Sequence, residues 1–334
     1  VDLDTFVAQH SAEWDRLDEL ATRRRRLSGA EADELVELYQ RTATHLSMVQ
    51  SAAPDPALVG RLSSLVAVSR AAVTGASGAS WSDVSRFVTR SFPVAVYRAR
   101  AWWITVAVLC VGVAVAIGAW IASNPDVVAA ISTPEELQQL VDQDFADYYT
   151  SNPAGSFAFR VWTNNAWVAA LALVGGALLC LPGIYILWQN TLNVALVGGL
   201  MASAGKLDLF LGLITPHGLL ELTAVFVAGG AGIRLGWQII APGPRPRSVA
   251  LAEEGRSTLT IALGLVVVLL VSGVVEAFVT PSPLPTWARI ALGAAVWIAF
   301  LVYVWVFGRA GVREGGIGDV SDSASITETL PYAG

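Results

Sequence analysis

Apolar residues follow two different rhythms along the chain. In roughly the first quarter they recur at helical spacing between charges: Leu3, Phe6, Val7, Trp14 and Leu17, then Leu35, Leu38, Tyr39, Leu46 and Val49, then Leu58, Leu62, Leu65 and Val66. That spacing predicts three amphipathic helices. Ser28 with Glu31 makes a capping box at the start of the second, and Pro54 and Pro56 precede the third. Helices joined so closely predict a small bundle over residues 1–74, cytoplasmic by the charge argument below. The stretch Thr74–Ser80, TGASGAS, reads as a flexible joint.

Farther on the rhythm gives way to unbroken apolar blocks. Six come close to the ~20 residues that cross the hydrocarbon of a bilayer. They are Trp102–Ser123, Phe159–Leu181, Ile184–Ser203, Gly218–Ile240, Leu259–Val279 and Trp287–Phe307. Ahead of them Trp81, Val84, Val88 and Phe92 share a face while Arg86 and Arg90 lie elsewhere, which predicts an amphipathic helix at the membrane surface over 80–100, ended or bent at Pro93. The connection 124–156 is long and acidic, with Glu135, Glu136, Asp142, Asp144 and Asp147, and predicts a helix near Pro134–Tyr149. Leu207–Thr215, LDLFLGLIT, is too short to span and too apolar for water. It predicts a re-entrant half-helix leading into a break at Pro216, of the kind tolerated where protein or a wet cavity satisfies the freed backbone. The fold class is therefore an all-α polytopic membrane protein, with a six-helix transmembrane domain over 101–308 and a disordered tail over 309–334.

Composition agrees with the pattern. Of 334 residues 54% are hydrophobic and 14% charged, and the mean hydropathy is +0.56, which excludes an ordinary soluble enzyme. The net charge of -6 conceals an asymmetry. If six helices alternate, Arg98 and Arg100, then Arg234, Arg245 and Arg247, then Arg309 and Arg313 fall on one side. By the positive-inside rule that side is the cytoplasm, so both termini are expected there. The first 25 residues are charged and are not expected to act as a cleavable signal. Cys110 and Cys180 lie in apolar blocks and read as small hydrophobes. The run Arg23–Arg26 lacks interleaved aromatics, so a helix end facing lipid or protein is expected rather than a nucleic-acid site. His10 reads as a packed core residue and His45 as a surface one. Trp102, Trp103, Trp162 and Trp287 near span ends are expected to anchor at lipid headgroups.

Chemistry concentrates around Thr215–Gly232, TPHGLLELTAVFVAGGAG. His217 and Glu221 are four apart on one helical face, and Ala224, Ala228 and Gly232 continue it. Small residues there suit close helix packing, as do Ala169, Ala172 and Gly176 behind Asn165. With alternating spans, His217, Glu221, Glu276, Asn164 and Asn165 are all expected at one outer depth. Asn190 and Asn193 fall toward the middle of the third span. A charged side chain at bilayer depth costs roughly 2.5–3.5 kcal/mol on insertion scales, so these residues are candidates for function. Three readings stay open for the polar cluster: a hydrogen-bonded structural knot, a proton or ion path, or a divalent-metal site. One imidazole and two carboxylates suit zinc or manganese but want a further donor, which Asn164, Asn165 or Asp208 would have to supply. The paired asparagines read as interhelical glue.

The motifs PHGLLE, NNAWVA, QNTLNVALVGG and EAFVTPS resemble the stage II sporulation protein M family, and ELYQRTATHL with WSDVSRFVTRSFPVAVYRAR is similar to the same family's longer members. The resemblance implies a multi-pass protein of the bacterial cytoplasmic (inner) membrane that acts as a scaffold in the cell envelope. It also implies MoxR-type AAA ATPase and von Willebrand-type proteins as partners. Function is then expected to be assembly, as a homodimer joined through small-residue faces. A transporter or channel, and a metal-dependent enzyme using His217, Glu221 and Glu276, are the alternatives.

Overall fold

The computed structural model describes residues 3–23, 27–52, 55–73, 81–141 and 154–319. Every regular element among them is helical. The chain divides into two compact units, Val1–Val84 and Ser85–Gly334.

In the first unit α1 (Leu3–Thr22), α2 (Gly29–Ala52) and α3 (Pro56–Val73) pack on one another. Their apolar faces meet in a core of Trp14, Leu17, Leu20, Leu35, Leu62 and neighbours, the first three with no exposed surface. The Ser28–Glu31 box forms in both directions: Ser28 N–H donates to Glu31 Oε2 at 2.8 Å and Glu31 N–H to Ser28 Oγ at 3.3 Å. Arg16 joins the helices by donating to both Glu34 oxygens, at 3.0 and 2.9 Å. Arg23 pairs with Glu19 and Glu31. The rest of the arginine run and the 74–80 joint lie outside the described residues.

The second unit is built around one helix. After α4 (Trp81–Arg86), a π-helical turn (Phe87–Ser91) and α5 (Phe92–Arg98) come α6 (Arg100–Ser123), α7 (Pro125–Ile131), α8 (Pro134–Gln139), α9 (Ala154–Ala177), α10 (Leu181–Ser203), α11 (Leu207–Ile240), α12 (Arg247–Phe278) and α13 (Thr286–Arg313). Helix α11 touches α6, α9, α10, α12 and α13. Its small residues permit this. A Cβ at Gly232 would stand 2.2 Å from the Leu173 carbonyl oxygen, and one at Gly230 would stand 2.6 Å from Trp103 Cα. Ala224, Ala228, Ala169 and Ala172 are buried in the same core. The pairs Gly176–Gly232, Gly118–Gly199 and Gly293–Pro216, with Trp297 Nε1 donating to Thr223 Oγ1 at 2.9 Å, fix the directions. Helices α9, α11 and α13 run one way; α6, α10 and α12 run the other. Six alternating traverses result.

Six helices are long and apolar enough to cross a membrane: Arg100–Ser123, Leu181–Ser203, Leu207–Ile240, Arg247–Phe278 and Thr286–Arg313, and also Pro56–Val73. The last buries Leu58, Leu62 and Leu65 in the N-terminal core, so its apolar face already has a partner. Helix α9 falls short of that hydropathy because Arg160, Asn164 and Asn165 lie in it, yet it runs parallel to α11 in the heart of the unit.

Three expectations are corrected. The re-entrant half-helix is absent: Leu207–Thr215 opens α11, which is continuous for 34 residues through Pro216. At 1.5 Å per residue α11 is about 51 Å long, so it can lose one internal hydrogen bond at a proline without breaking where neighbours brace it. The surface helix over 80–100 is divided. Trp81, Val84 and Val88 are exposed, but Phe92–Tyr97 is buried whole. Helix α5 is wedged against α12 and α13, where Gly264 makes room for the Phe92 ring and Gly308 for Pro93 and Tyr97. The tail over 309–334 is ordered at its start: α13 continues to Arg313, and Asp319 accepts from Arg256 Nε at 2.5 Å. Residues 320–334 lie outside the described set, as do Asp142, Asp144 and Asp147 of the acidic connection. In that connection Thr133 and Glu136 form a capping box at the start of α8.

Candidate functional site

Helices α11 and α12 form an antiparallel pair fastened by polar groups at both ends. At one end Arg234 donates to Glu254 at 2.8 Å, both side chains largely buried. Seventeen residues away along α11, about 26 Å at helical rise, stands His217, 5% exposed. Between these ends the contact is apolar.

The helical register explains how the His217 end is assembled. His217 and Glu221 project from successive turns of α11, and Glu276 faces them from the last turns of α12. One ligand atom from each of the three lies within 4.8 Å of the others. His217 Nε2 and Glu276 Oε1 are 3.9 Å apart, beyond hydrogen-bond reach. On the other side of the ring Nδ1 meets Thr280 Oγ1 at 3.2 Å. Thr280 stands just past the end of α12, in the turn that leads to α13, and has no exposed surface. Ser272 Oγ donates to the His217 carbonyl at 3.1 Å, and Arg289 of α13 donates to the Thr280 carbonyl at 2.6 Å. Helix α13 reaches this point because Gly293 lies against the Pro216 carbonyl, where a Cβ would stand 1.9 Å from the oxygen.

The two carboxylates are the unbalanced part. Glu276 is 3% exposed, and Oε2 of Glu276 and Oε2 of Glu221 are both buried without a hydrogen-bond partner. Carboxylates this close repel strongly in a medium of low dielectric. The arrangement suits a positive species held among them: a proton, an imidazolium or a cation.

The other predicted residues are elsewhere. Asn164 is exposed, Asn165 is half-buried, and the two bond each other at 3.3 Å. Trp162, one turn before them, donates to the Val266 carbonyl at 3.1 Å, ten residues and about 15 Å along α12 from Glu276. The shared depth expected for the asparagines is thus corrected. Helix α9 starts at Ala154 rather than near Phe159, which carries them more than a turn past the cluster. Asn190 borders an apolar cavity of about 710 Å³ between α6, α10, α11 and α13, and Asn193 is exposed. Asp208, on the first turn of α11, is not in the cluster. Trp103 is buried, donating to the Val96 carbonyl at 3.1 Å, and is no headgroup anchor. Thr280 and Arg289 escaped the sequence reading. A lone cation in TWARIALGAAVW was the available signal for Arg289; nothing marked Thr280.

Comparison with known proteins follows the same division of the chain. Residues 4–75 match a domain of unknown function. Over 148 residues the chain is 27% identical to the uncharacterized protein MJ0793 of Methanocaldococcus jannaschii, a match covering 43% of this chain and 82% of that protein. No solved structure matches. The family model for stage II sporulation protein M matches residues 107–281, from α6 through the whole His217–Glu221–Glu276 cluster. That is more than half of the chain, and the chain belongs to the stage II sporulation protein M family.

Proposed function

We propose that this multi-pass membrane protein is an assembly scaffold of the cell envelope. On this reading the His217–Glu221–Glu276 cluster fastens the membrane body, and the N-terminal three-helix unit engages a partner protein. The observation that carries it is the sealing of the cluster within helix packing. Its imidazole is held by Thr280 and its backbone by Ser272. Neither of two sizeable cavities in the body, about 550 and 710 Å³, is lined by His217, Glu221 or Glu276. A group that chemistry or transport must reach belongs in a cleft; a group that holds helices together belongs where these are. The transport reading also rested on a broken segment before Pro216, and α11 is continuous there.

Arginine placement puts both termini in the cytoplasm of a bacterial inner-membrane protein. The partners suggested by family resemblance, MoxR-type AAA ATPase and von Willebrand-type proteins, would meet the N-terminal unit from that side. A homodimer through membrane faces belongs to the same proposal. Crosslinking in cells followed by purification in mild detergent tests it. A stoichiometric partner should accompany the full chain and be lost when residues 3–73 are exchanged for an unrelated helical domain. A chain that emerges alone in both forms overturns the scaffold.

One observation favours a second reading of the same cluster. Two carboxylate oxygens without donors beside an imidazole match the charge and ligand types of a divalent metal, whose two positive charges would balance both glutamates. Elemental analysis of the purified chain decides it. One equivalent of zinc or manganese that disappears in Glu276→Gln supports a metal-fastened cluster, and unchanged metal content in that variant rules it out.

A further inference from the structure

The N-terminal unit contains a second convergence of ligand groups. His10 and Glu13 lie three apart on one face of α1, and His45 of α2 comes against them; one ligand atom from each is within 4.8 Å of the others. His10 Nδ1 and Glu13 Oε2 face each other at 3.8 Å, and both atoms are buried without a hydrogen-bond partner. That separation exceeds a hydrogen bond. It is near the spacing of two ligands on one tetrahedral zinc, whose bonds of about 2.0–2.2 Å place neighbouring donors about 3.3–3.6 Å apart.

The surroundings are those of a built site. The His10 and His45 ring centroids are 4.1 Å apart, and Phe6 covers both, at 4.6 Å from His10 and 5.3 Å from His45. The other Glu13 oxygen lies 3.5 Å from Arg41, which orients the carboxylate while leaving Oε2 aimed at His10. Burial, and then the neighbouring His10, hold the His45 imidazole below its ordinary value, favouring the neutral form that ligates metals.

We propose that His10, Glu13 and His45 form a binding site for a zinc-class divalent cation, with a fourth position left open to water or to a side chain of a bound partner. Two imidazoles among three ligands disfavour calcium and magnesium, which take oxygen donors. The site is independent of the membrane cluster and of the scaffold reading.

Binding has a consequence fixed by histidine chemistry. Trp14 Nε1 donates to His45 Nδ1 at 3.2 Å, so in the metal-free protein Nδ1 carries no proton. A metal on Nδ1 takes the lone pair that Trp14 uses. A metal on Nε2 moves the proton to Nδ1, which then cannot accept. Either way the Trp14–His45 hydrogen bond is lost, and metal uptake is transmitted to the core residue that joins α1 to α2.

The test uses the full chain in detergent, stripped by chelator and then given zinc chloride alone. Bound zinc is counted after gel filtration, and the Trp14 indole N–H is followed in protein labelled with ¹⁵N-tryptophan, assigned through Trp14→Phe. The unsubstituted chain should carry one more zinc than either Glu13→Gln or His45→Gln, with zinc affinity at this site at least tenfold weaker in both. The Trp14 resonance should move on zinc addition in the unsubstituted chain only. Glu13→Gln keeps the shape of the side chain, so a variant with native helix content and full zinc content overturns the site. So does a Trp14 resonance indifferent to zinc.

Discussion

Thr280 holds the imidazole of His217 by a single contact, and that contact is the most direct handle on the cluster at the scale of one residue. Thr280→Val keeps the shape and removes the hydroxyl. It should cost about 1 kcal/mol of stability, read as a lower thermal midpoint in detergent, and Thr280→Ser should restore most of it. An unchanged midpoint in Thr280→Val would mean that His217 is positioned by packing alone. Which residues were legible follows from what each needed. His217 and Glu221 share one helix at a four-residue interval, and Glu276 is a charge in an apolar block, so depth alone brought them together. The asparagines needed the start of α9 to within a turn, which periodicity does not give. The meeting of His10 with His45 needed the rotation of α1 against α2; read singly, one histidine looked like core and the other like surface.

At the scale of the element, α5 shows how a local pattern is overridden. Its arginines and apolar stripe have the periodicity of a surface helix, but a pattern cannot say whether a glycine on another helix has opened a slot for it. Gly264 does so: a Cβ there would stand 2.1 Å from the Phe92 ring. Gly264→Ala should therefore destabilise the body by about 1–3 kcal/mol. Phe92→Leu in the same chain should recover part of the loss, a coupling that unfolding midpoints of the single and double variants will show or refute. Helix α11 teaches the converse. Pro216 and the short apolar run before it looked like a break, yet the continuous packing of five neighbours keeps the helix whole. In the N-terminal unit, the ends and sides of helices predict an acid response. Hydrogen bonds from the Ser28 backbone and hydroxyl hold Glu31 below the usual 4.5. The Arg16 guanidinium does the same first for Glu34 and, with Arg23, for Glu19. These groups bind protons more tightly when unfolded, so their contribution is present above pH 4.5 and is lost as pH falls below it. The calorimetric transition of this unit, identified by its displacement in Trp14→Ala, should move to lower temperature between pH 6 and pH 3. It should do so less in a Glu31→Gln, Glu34→Gln chain. A midpoint flat across that range would contradict the prediction.

The whole molecule is two units with different means of cohesion. The bundle has an apolar core and surface ion pairs, each of the latter worth little alone. The membrane body has no water to expel from between its helices, so close approach of small residues and a few buried polar contacts must hold it. Its class and number of traverses were readable from hydropathy, because bilayer thickness sets block length. Its assembly around α11 was not, because which small residue meets which backbone is a tertiary matter. The account rests on the claim that the polar cluster fastens α11 to α12, giving the rigid body an assembly protein requires. His217→Ala tests it by removing the imidazole and leaving two buried carboxylates to face each other. Breaking a buried charged arrangement on one side costs about 3–5 kcal/mol, so the thermal midpoint of the full chain in detergent should fall by many degrees. A His217→Ala chain that unfolds at the same temperature as the unsubstituted protein would contradict the claim.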